Sequence, residues 1–412
     1  MDSNSQDEAV PDTQVPTLPD TQTSAHRLPR GLILLLAVVA GASVANIYYN
    51  QPILSLIAHS FNVPGATAAQ VVAATQFGYA AGLVLLVPLG DGMDRRKLIL
   101  WQAAGLVAAL GLVMAAPTLL MLTVASVAVG IGATIAQQVV PIAAGLAAPE
   151  HRGRTVGTVM SGLLAGVLLA RTISGAVGGA FGWRVMYGFG MAVAVAVFVA
   201  LYAFLPGSPA AHPHPYGRLL ASLGQVLRRY RVLQRAALVQ GLLFACFSVF
   251  WATLALRLES PAFGLGPVYA GLFGVLGLVG VVAAPMAGSL SDRHGPDGVT
   301  RIGIAAVLSA FVLMAVVPGI IGLVLGVVAL DAGMQLAMIS QQSTVLALDD
   351  ELRGRINTVY VTALFIGGAV GSALASVAWG HFGWPGICAL GAALALTALI
   401  VHYWGFNFDR PA

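Results

Sequence analysis

From Gly31 onward, apolar runs of about twenty residues recur along this chain, separated by short polar breaks. A helix needs about 20 apolar residues to cross a hydrocarbon core about 30 Å thick. The pattern predicts twelve such helices, over 31–53, 68–90, 97–116, 119–147, 155–179, 184–205, 236–258, 266–290, 299–317, 320–347, 356–379 and 385–405. Two stretches break the rhythm. Residues 1–30 are rich in Pro, Ser, Thr, Gln and Asp with no apolar run, which reads as a disordered tail and not as a cleaved leader. Residues 206–235 form the widest break, between the sixth and seventh spans. The predicted organisation is a tail (1–30), a six-helix bundle (31–205), a central loop (206–235), a second six-helix bundle (236–406) and a short C-terminal end (407–412).

Composition agrees with that pattern. Apolar residues make up 58% of the 412 positions and charged residues 9%, with a mean hydropathy of +0.87. Soluble domains carry roughly 25% charged residues, so a soluble enzyme, a secreted domain and a disordered chain are excluded. Seventeen of the twenty Lys and Arg residues fall in segments that share one side if the N-terminus is cytoplasmic. Basic residues in short loops stay inside. The expectation is therefore a multi-pass protein of the inner (plasma) membrane with both termini cytoplasmic. The net charge of +4 is explained by topology, and no nucleic acid is implied. Cys246 and Cys388 both sit in apolar runs, so neither a disulfide nor a metal framework is expected, and no metal or cofactor is called for.

Three local patterns recur 201 residues apart. Leu89-Gly90-Asp91 answers Leu290-Ser291-Asp292, Glu150-x-Arg152-Gly153-Arg154 answers Glu351-x-Arg353-Gly354-Arg355, and Phe181-Gly182-Trp183 answers Phe382-Gly383-Trp384. This implies a duplicated six-helix unit whose copies share one orientation, related by an axis along the membrane normal. Two such halves can rock about their interface and turn a shared site from one face to the other.

These residues carry a family resemblance over essentially all of 31–406. The chain resembles the major facilitator superfamily, whose signature is an acidic-basic loop, roughly G-x-L-x-D-R-x-G-R-R, after the second span of each half. Gly288-Ser289-Leu290-Ser291-Asp292-Arg293-His294-Gly295 follows it closely. Val87 through Lys97 departs from it, with Val87 for the leading glycine and Gly92 for the first arginine. Ala45-Asn46-Ile47-Tyr48-Tyr49-Asn50-Gln51-Pro52 is similar to the end of the first helix in bacterial efflux-permease-like, drug–proton antiporter-like members. The resemblance implies an all-α membrane fold of twelve helices in two pseudo-symmetric bundles. It also implies a cytoplasmic gate in which Asp91, Arg95 and Arg96, with Asp292 and Arg293 by symmetry, engage the start of a helix in the opposite half; for Asp91 that would be the amides around Arg355–Thr358. A purely topological role for these arginines stands beside that reading. One departure bears on antiport: the fourth helix holds Ser126 where related drug–proton antiporters carry an arginine, and the fifth lacks their glycine–proline pair.

Ionisable groups at bilayer depth cost about 2.5–3.5 kcal/mol on insertion scales. Asp331 lies about 17 Å into the tenth span at 1.5 Å per residue and is a candidate for proton coupling or substrate contact. Arg171 on the fifth span is a second proton-coupling candidate, expected near the outer interface where it could snorkel. Asn46, Tyr49, Gln51, Gln76, Tyr79, Gln137, Gln138, Gln240, Trp251 and Gln335 are candidates for a substrate cavity, and their chemistry suits a neutral or amphipathic solute. Tyr48, Trp251 and Trp404 read equally well as interfacial belt residues. Gly162/Gly166 and Gly367/Gly371 are small-xxx-small pairs expected to pack helices, and the Glu150–Arg154 and Glu351–Arg355 turns read as structural.

No phosphate-binding G-x-x-x-x-G-K-[ST] occurs, so ATP is not the direct energy source. The expected function is secondary active transport of a small organic solute by alternating access, with proton-coupled export and Asp331 as carrier, in a chain acting as a monomer. An uptake permease for a sugar or another metabolite shares every feature. A non-transporting sensor or a membrane enzyme is the remote alternative, since no convergent His, Asp or Cys cluster and no output domain is evident.

Overall fold

The structure, a computed structural model, describes residues 29–207 and 215–408. The expected tail, part of the central loop and the last residues lie outside the described residues. So do the side chains of Asp91 and Asp292.

All regular elements among the described residues are helical. The first half holds α1 (Arg30–Ala45), α2 (Leu54–Ser60), α3 (Gly65–Ala68), α4 (Gln70–Leu85), α5 (Leu89–Gly92), α6 (Arg95–Ala115), α7 (Leu119–Ala133), α8 (Ile135–Leu146), α9 (Arg152–Phe181) and α10 (Trp183–Phe204). After the short helix α11 (Tyr216–Arg229), the second half holds α12 (Arg231–Glu259), α13 (Pro267–Leu276), α14 (Leu278–Val316), α15 (Gly319–Leu346) and α16 (Arg353–Phe408). Among the described residues nine helical stretches are long and apolar enough to cross a membrane. One of them, Arg353–Trp404, is long enough to cross twice and bends at Gly383, whose φ of 58° only glycine adopts without strain. The first and eighth spans are assembled from shorter pieces, α1 with α2 and α13 with the front of α14, which turns at Gly295 (φ 73°). These account for the twelve expected crossings.

The first span departs from the expected continuous helix. Regular α structure stops at Ala45 and resumes at Leu54, and Pro52, with no N–H to give and a ring that crowds the Tyr48 carbonyl, keeps an α-helix from running through the later part of that stretch. The backbone between them tightens to i→i−3 bonds, Ile47 N–H to the Val44 carbonyl at 3.1 Å and Tyr48 N–H to that of Ala45 at 3.0 Å. The Asn46 amide donates to the Ala42 and Ser43 carbonyls at 2.8 and 3.2 Å. Irregular backbone at membrane depth is tolerated only where protein surrounds it. Here Ile47, Tyr48, Tyr49, Asn50 and Gln51 are all buried. The fourth span is likewise divided, at Thr134 between α7 and α8.

The sequence repeat reappears in the packing. A methyl group on Gly162 or Gly166 would overlap the backbone of Ala37 or Gly41 on α1, and one on Gly367 or Gly371 would overlap that of Gly241 or Ala245 on α12. Both halves thus use a glycine pair to seat the fifth helix of the unit on its first. The arginines of the repeated turns also share one task. Arg152 Nε donates to the Ala144 carbonyl at 3.0 Å and Arg353 Nε to that of Leu346 at 3.1 Å, each satisfying an orphan carbonyl at the end of the preceding helix.

Within the central loop, α11 has Leu219, Leu223 and Val226 buried on one face and Arg218, Arg228 and Arg229 off it. It ties the loop to both halves. Tyr216 Oη donates to the Leu85 carbonyl at 2.8 Å, and Tyr230 Oη to Asp349 Oδ2 at 2.8 Å. That hydroxyl, followed by the Leu352 and Glu351 amides, holds the Asp349 carboxyl below the ordinary carboxylate range.

Replacing Gly166 or Gly367 with leucine should lower the thermal midpoint of the purified protein, by an amount matching roughly 1–3 kcal/mol of overpacking. Gly105→Leu, where a side chain meets nothing within 4 Å, should leave the midpoint unchanged. For Asp349 the folded state favours the ionised form, so its contribution is full above about pH 4 and is lost as pH falls below that. Tyr230→Phe should flatten the acid limb of a midpoint-against-pH curve, with a small effect because the pair is accessible to water.

Candidate functional site

The two halves touch at the end of the bundle away from the Arg95, Arg152 and Arg353 turns. There His59 Nε2 lies 3.1 Å from Glu259 Oε1, Thr172 Oγ1 donates to the Gly271 carbonyl at 3.2 Å, and Ser376 donates to the Ala66 carbonyl. The backbones of Gly175 and Gly271 are so close that a methyl group on either would press into the other strand of chain. Deeper in, Gln76 of α4 exchanges hydrogen bonds with Ser248 of α12 at 3.2 and 3.3 Å and accepts one from Ser372 of α16 at 3.4 Å. The Tyr79 ring lies 4.2 Å from that of Phe365, and Gln137 Nε2 donates to its hydroxyl at 3.2 Å.

Just beneath that closure the structure brings together Gln51, Arg171, Trp251 and Asp331. Arg171 does not reach the surface as expected. It is 2% exposed, and its guanidinium carbon stands 3.9 Å from the Trp251 ring, 4.6 Å from that of Tyr48 and 5.4 Å from that of Phe247. Its Nε donates to Gln51 Oε1 at 2.8 Å. Asp331, 6% exposed, lies within electrostatic range of Arg171 without closing a salt bridge, and the Trp251 indole N–H faces it short of a hydrogen bond. The cation and the anion therefore come from opposite halves, α9 and α15.

The elements explain the placement. The break in the first span turns Tyr48 and Gln51 toward α9. On the other side, α13 and its junction with α14 present a surface almost free of side chains. A Cβ at Gly274 would sit 2.8 Å from Arg171 Cβ, and one at Gly277 would sit 3.3 Å from Asp331 Oδ2 and 2.9 Å from Leu168 Cδ2. Bare backbone here is what lets two long-separated charged side chains approach from different helices. One turn beyond Asp331, Gln335 extends the same stripe, its Cγ 3.0 Å from where a Gly280 Cβ would lie.

Four polar atoms of this cluster have no hydrogen-bond partner: Gln51 Nε2, Arg171 Nη2, Trp251 Nε1 and Asp331 Oδ1. Buried polar groups are paired in the great majority of cases, so four orphans in one cluster make it a candidate binding site.

The remaining cavity candidates are placed elsewhere. Asn46 Oδ1 and the Tyr49 ring lie against Gly190 of α10, inside the first half. Gln138 Nε2 donates to the Leu86 carbonyl at 2.8 Å, also within that half. Gln240 Nε2 meets Met334 Sδ at 3.5 Å within the second. Of the belt candidates, Trp404 is exposed, whereas Tyr48 and Trp251 are buried in the centre. Sequence reading assigned no site role to Tyr48, Phe247, Ser248 or Ser372; the Phe247–Trp251 spacing of four along one helix face was the available signal for the aromatic wall.

Of the gate residues, Arg95 Nε donates to the Gly90 carbonyl at 2.8 Å and Arg96 to the Tyr202 carbonyl at 2.7 Å, both inside the first half. Asp94 caps α6 through the Arg96 amide at 2.9 Å. Arg293 is exposed, and the side chains of Asp91 and Asp292 lie outside the described residues.

The sequence profile of the Major Facilitator Superfamily matches residues 34–372. A protein of Escherichia coli O157:H7 named "Uncharacterized transporter YgaY" is 37% identical over 392 residues, covering 94% of this chain and 98% of its own. "Probable transporter SCO4007" of Streptomyces coelicolor is 35% identical over 413 residues, with 96% and 93% covered. Among solved structures, the nucleoside transporter NupG superposes with a TM-score of 0.73 at 13% identity, covering 92% of this chain and all of that one, a likeness of fold. The chain therefore belongs to the Major Facilitator Superfamily, as a multi-pass membrane transporter and not an enzyme.

Proposed function

We propose that this protein is a proton-coupled secondary transporter of a small organic solute, in which the Arg171–Asp331 pair is the coupling centre. The observation that carries this reading is the set of four orphaned polar atoms around two buried, oppositely charged groups supplied by opposite halves. A site at the junction of two rocking bodies changes its surroundings when they rock. A carboxyl among the groups lining it can take a proton in one arrangement and release it in the other.

The halves meet tightly at the end away from the basic turns, through Thr172–Gly271 and His59–Glu259. With those turns cytoplasmic, as the charge distribution implies, this arrangement is closed to the outside of an inner membrane. Opening would separate the Gly175–Gly271 contact and the Gln76–Ser248–Ser372 bonds while closing the basic end. The Arg95, Arg96, Asp91, Asp292 and Arg293 loops are where that closing latch would form.

Proton exchange driving export and proton co-transport driving uptake use the same architecture. Arg171 favours the second. A buried cation beside the carboxyl opposes binding of a cationic solute in exchange for protons, whereas a proton and a solute taken together leave the pair's charges accommodated.

Proteoliposomes loaded with a pH-sensitive dye and challenged with a pooled metabolite panel should show solute-dependent proton movement. Asp331→Asn should abolish it while the protein remains monodisperse and folded. Undiminished proton movement in that variant would remove Asp331 from the mechanism. The sign of the pH change when solute is added outside right-side-out or inverted vesicles distinguishes co-transport from exchange.

A further inference from the structure

We infer that the central site takes a small organic anion, a monocarboxylate or sulfonate carrying an apolar body, and that it takes the anion together with a proton on Asp331. This rests on the coupling role proposed above for the same pair and names the ligand that the pair is built for.

The orphaned atoms decide the class. Gln51 Nε2, Arg171 Nη2 and Trp251 Nε1 are all donors, and each belongs to a side chain at least nine-tenths buried. The fourth, Asp331 Oδ1, is an acceptor when ionised and can donate once protonated. Three unpartnered donors on side chains that touch one another, one of them a guanidinium, complement an oxyanion, and Arg is the side chain suited to recognise one in a fork. A neutral amide or sugar would meet these donors with uncharged acceptors only, whereas an anion gives Arg171 Nη2 a charge-assisted bond, roughly twice as strong. A cation would meet the guanidinium charge at close range. The Trp251, Tyr48 and Phe247 rings around the guanidinium supply the apolar wall for the rest of the solute.

Charge balance supplies the proton. In the empty site the Arg171 cation is balanced by the Asp331 carboxylate. An incoming anion makes the ensemble one negative charge in excess, and a proton on Asp331 restores balance. The charged or titratable groups facing Asp331 are Arg171 from α9 and, through Arg171, the Tyr48 hydroxyl from the first span. Neither offers a second acid to take that proton. Anion and proton therefore bind with positive coupling, and by reciprocity each raises affinity for the other.

The test uses the full-length protein in detergent and three probes sharing one ring: benzenesulfonate, benzenesulfonamide and benzylammonium, a fixed anion, a neutral molecule and a cation. Tryptophan fluorescence and calorimetry should show saturable binding of benzenesulfonate and at least tenfold weaker binding of the other two. Benzenesulfonate affinity should rise as pH falls, up to about tenfold per pH unit, with about one proton taken up per anion. Arg171→Gln should abolish binding. Asp331→Asn, a stand-in for the protonated carboxyl, should bind benzenesulfonate with the pH dependence removed, and it keeps the test decisive if Arg171→Gln does not fold. Preference for the amide or the cation, pH-independent binding by the wild type, or no binding of any probe to folded protein would overturn the anion assignment. Those outcomes leave the coupling role of Asp331 to be judged by proton movement, and coupled flux persisting in Asp331→Asn would sink that role without touching anion binding at Arg171.

Discussion

A full positive charge buried between two halves of a membrane protein is the constraint around which the rest of this structure is arranged. Removing an ion from water costs several kcal/mol even after relaxation, and Arg171 is 2% exposed. Three aromatic rings within 5.4 Å each offset part of that cost, by up to about 2 kcal/mol when desolvated. The Gln51 bond and the field of Asp331 offset more. No single element could supply all of these. The first span gives Tyr48 and Gln51, the seventh Phe247 and Trp251, the tenth Asp331, and the fifth the arginine itself. The charge holds the halves in register because its compensation is divided between them.

Two backbone devices make that division possible. The first is the break at 46–53, where the backbone tightens to i→i−3 bonds, Pro52 bars an α-helix from running through, and the Asn46 amide bonds the carbonyls of the preceding turn. The second is the stretch through Gly271, Gly274 and Gly277, where the absence of side chains lets the second half approach Arg171 and Asp331 together. Neither device contributes a functional group. Both set the distance at which functional groups meet, and a continuous first helix or a leucine at Gly274 would separate them.

Much of the fold was legible in the sequence, because hydropathy reports the bilayer crossing directly. The twelve spans, the 201-residue repeat and the glycine pairs at Gly162/Gly166 and Gly367/Gly371 all correspond to helices and contacts in the structure. Asp331 stood out for the same reason, as a short acidic side chain far from either end of an apolar run. Arg171 was misplaced by counting residues from the start of its span. The rise along one helix gives depth, but a long side chain can go out to the interface or inward to a partner, and only the neighbouring helices decide which. The glutamines and asparagines show a similar limit. Gln76 bridges the halves and Gln51 bonds Arg171 of its own half at their junction, while Asn46 and Gln138 bond backbone within their own half away from it. Composition identifies such residues without giving the direction in which they point.

The proposed coupling of anion and proton would follow from what closure does to charge. When the halves close over the centre, water is displaced and every electrostatic interaction there strengthens. With Asp331 ionised and the site empty, the pair's charges sum to zero and closure is tolerated. With anion and proton both bound they sum to zero again. With the anion alone or the proton alone, one uncompensated charge must be carried into a desolvated interior, at a cost of the same order as breaking a buried ion pair, about 3–5 kcal/mol. At about 1.4 kcal/mol per factor of ten, that penalty would make the singly loaded closed states roughly two to four orders of magnitude rarer than the balanced ones. On the proposed mechanism, slippage would be suppressed without any dedicated gate residue. The same electrostatics that fasten the halves in one arrangement would thus, on that proposal, select which loaded forms can pass to the other.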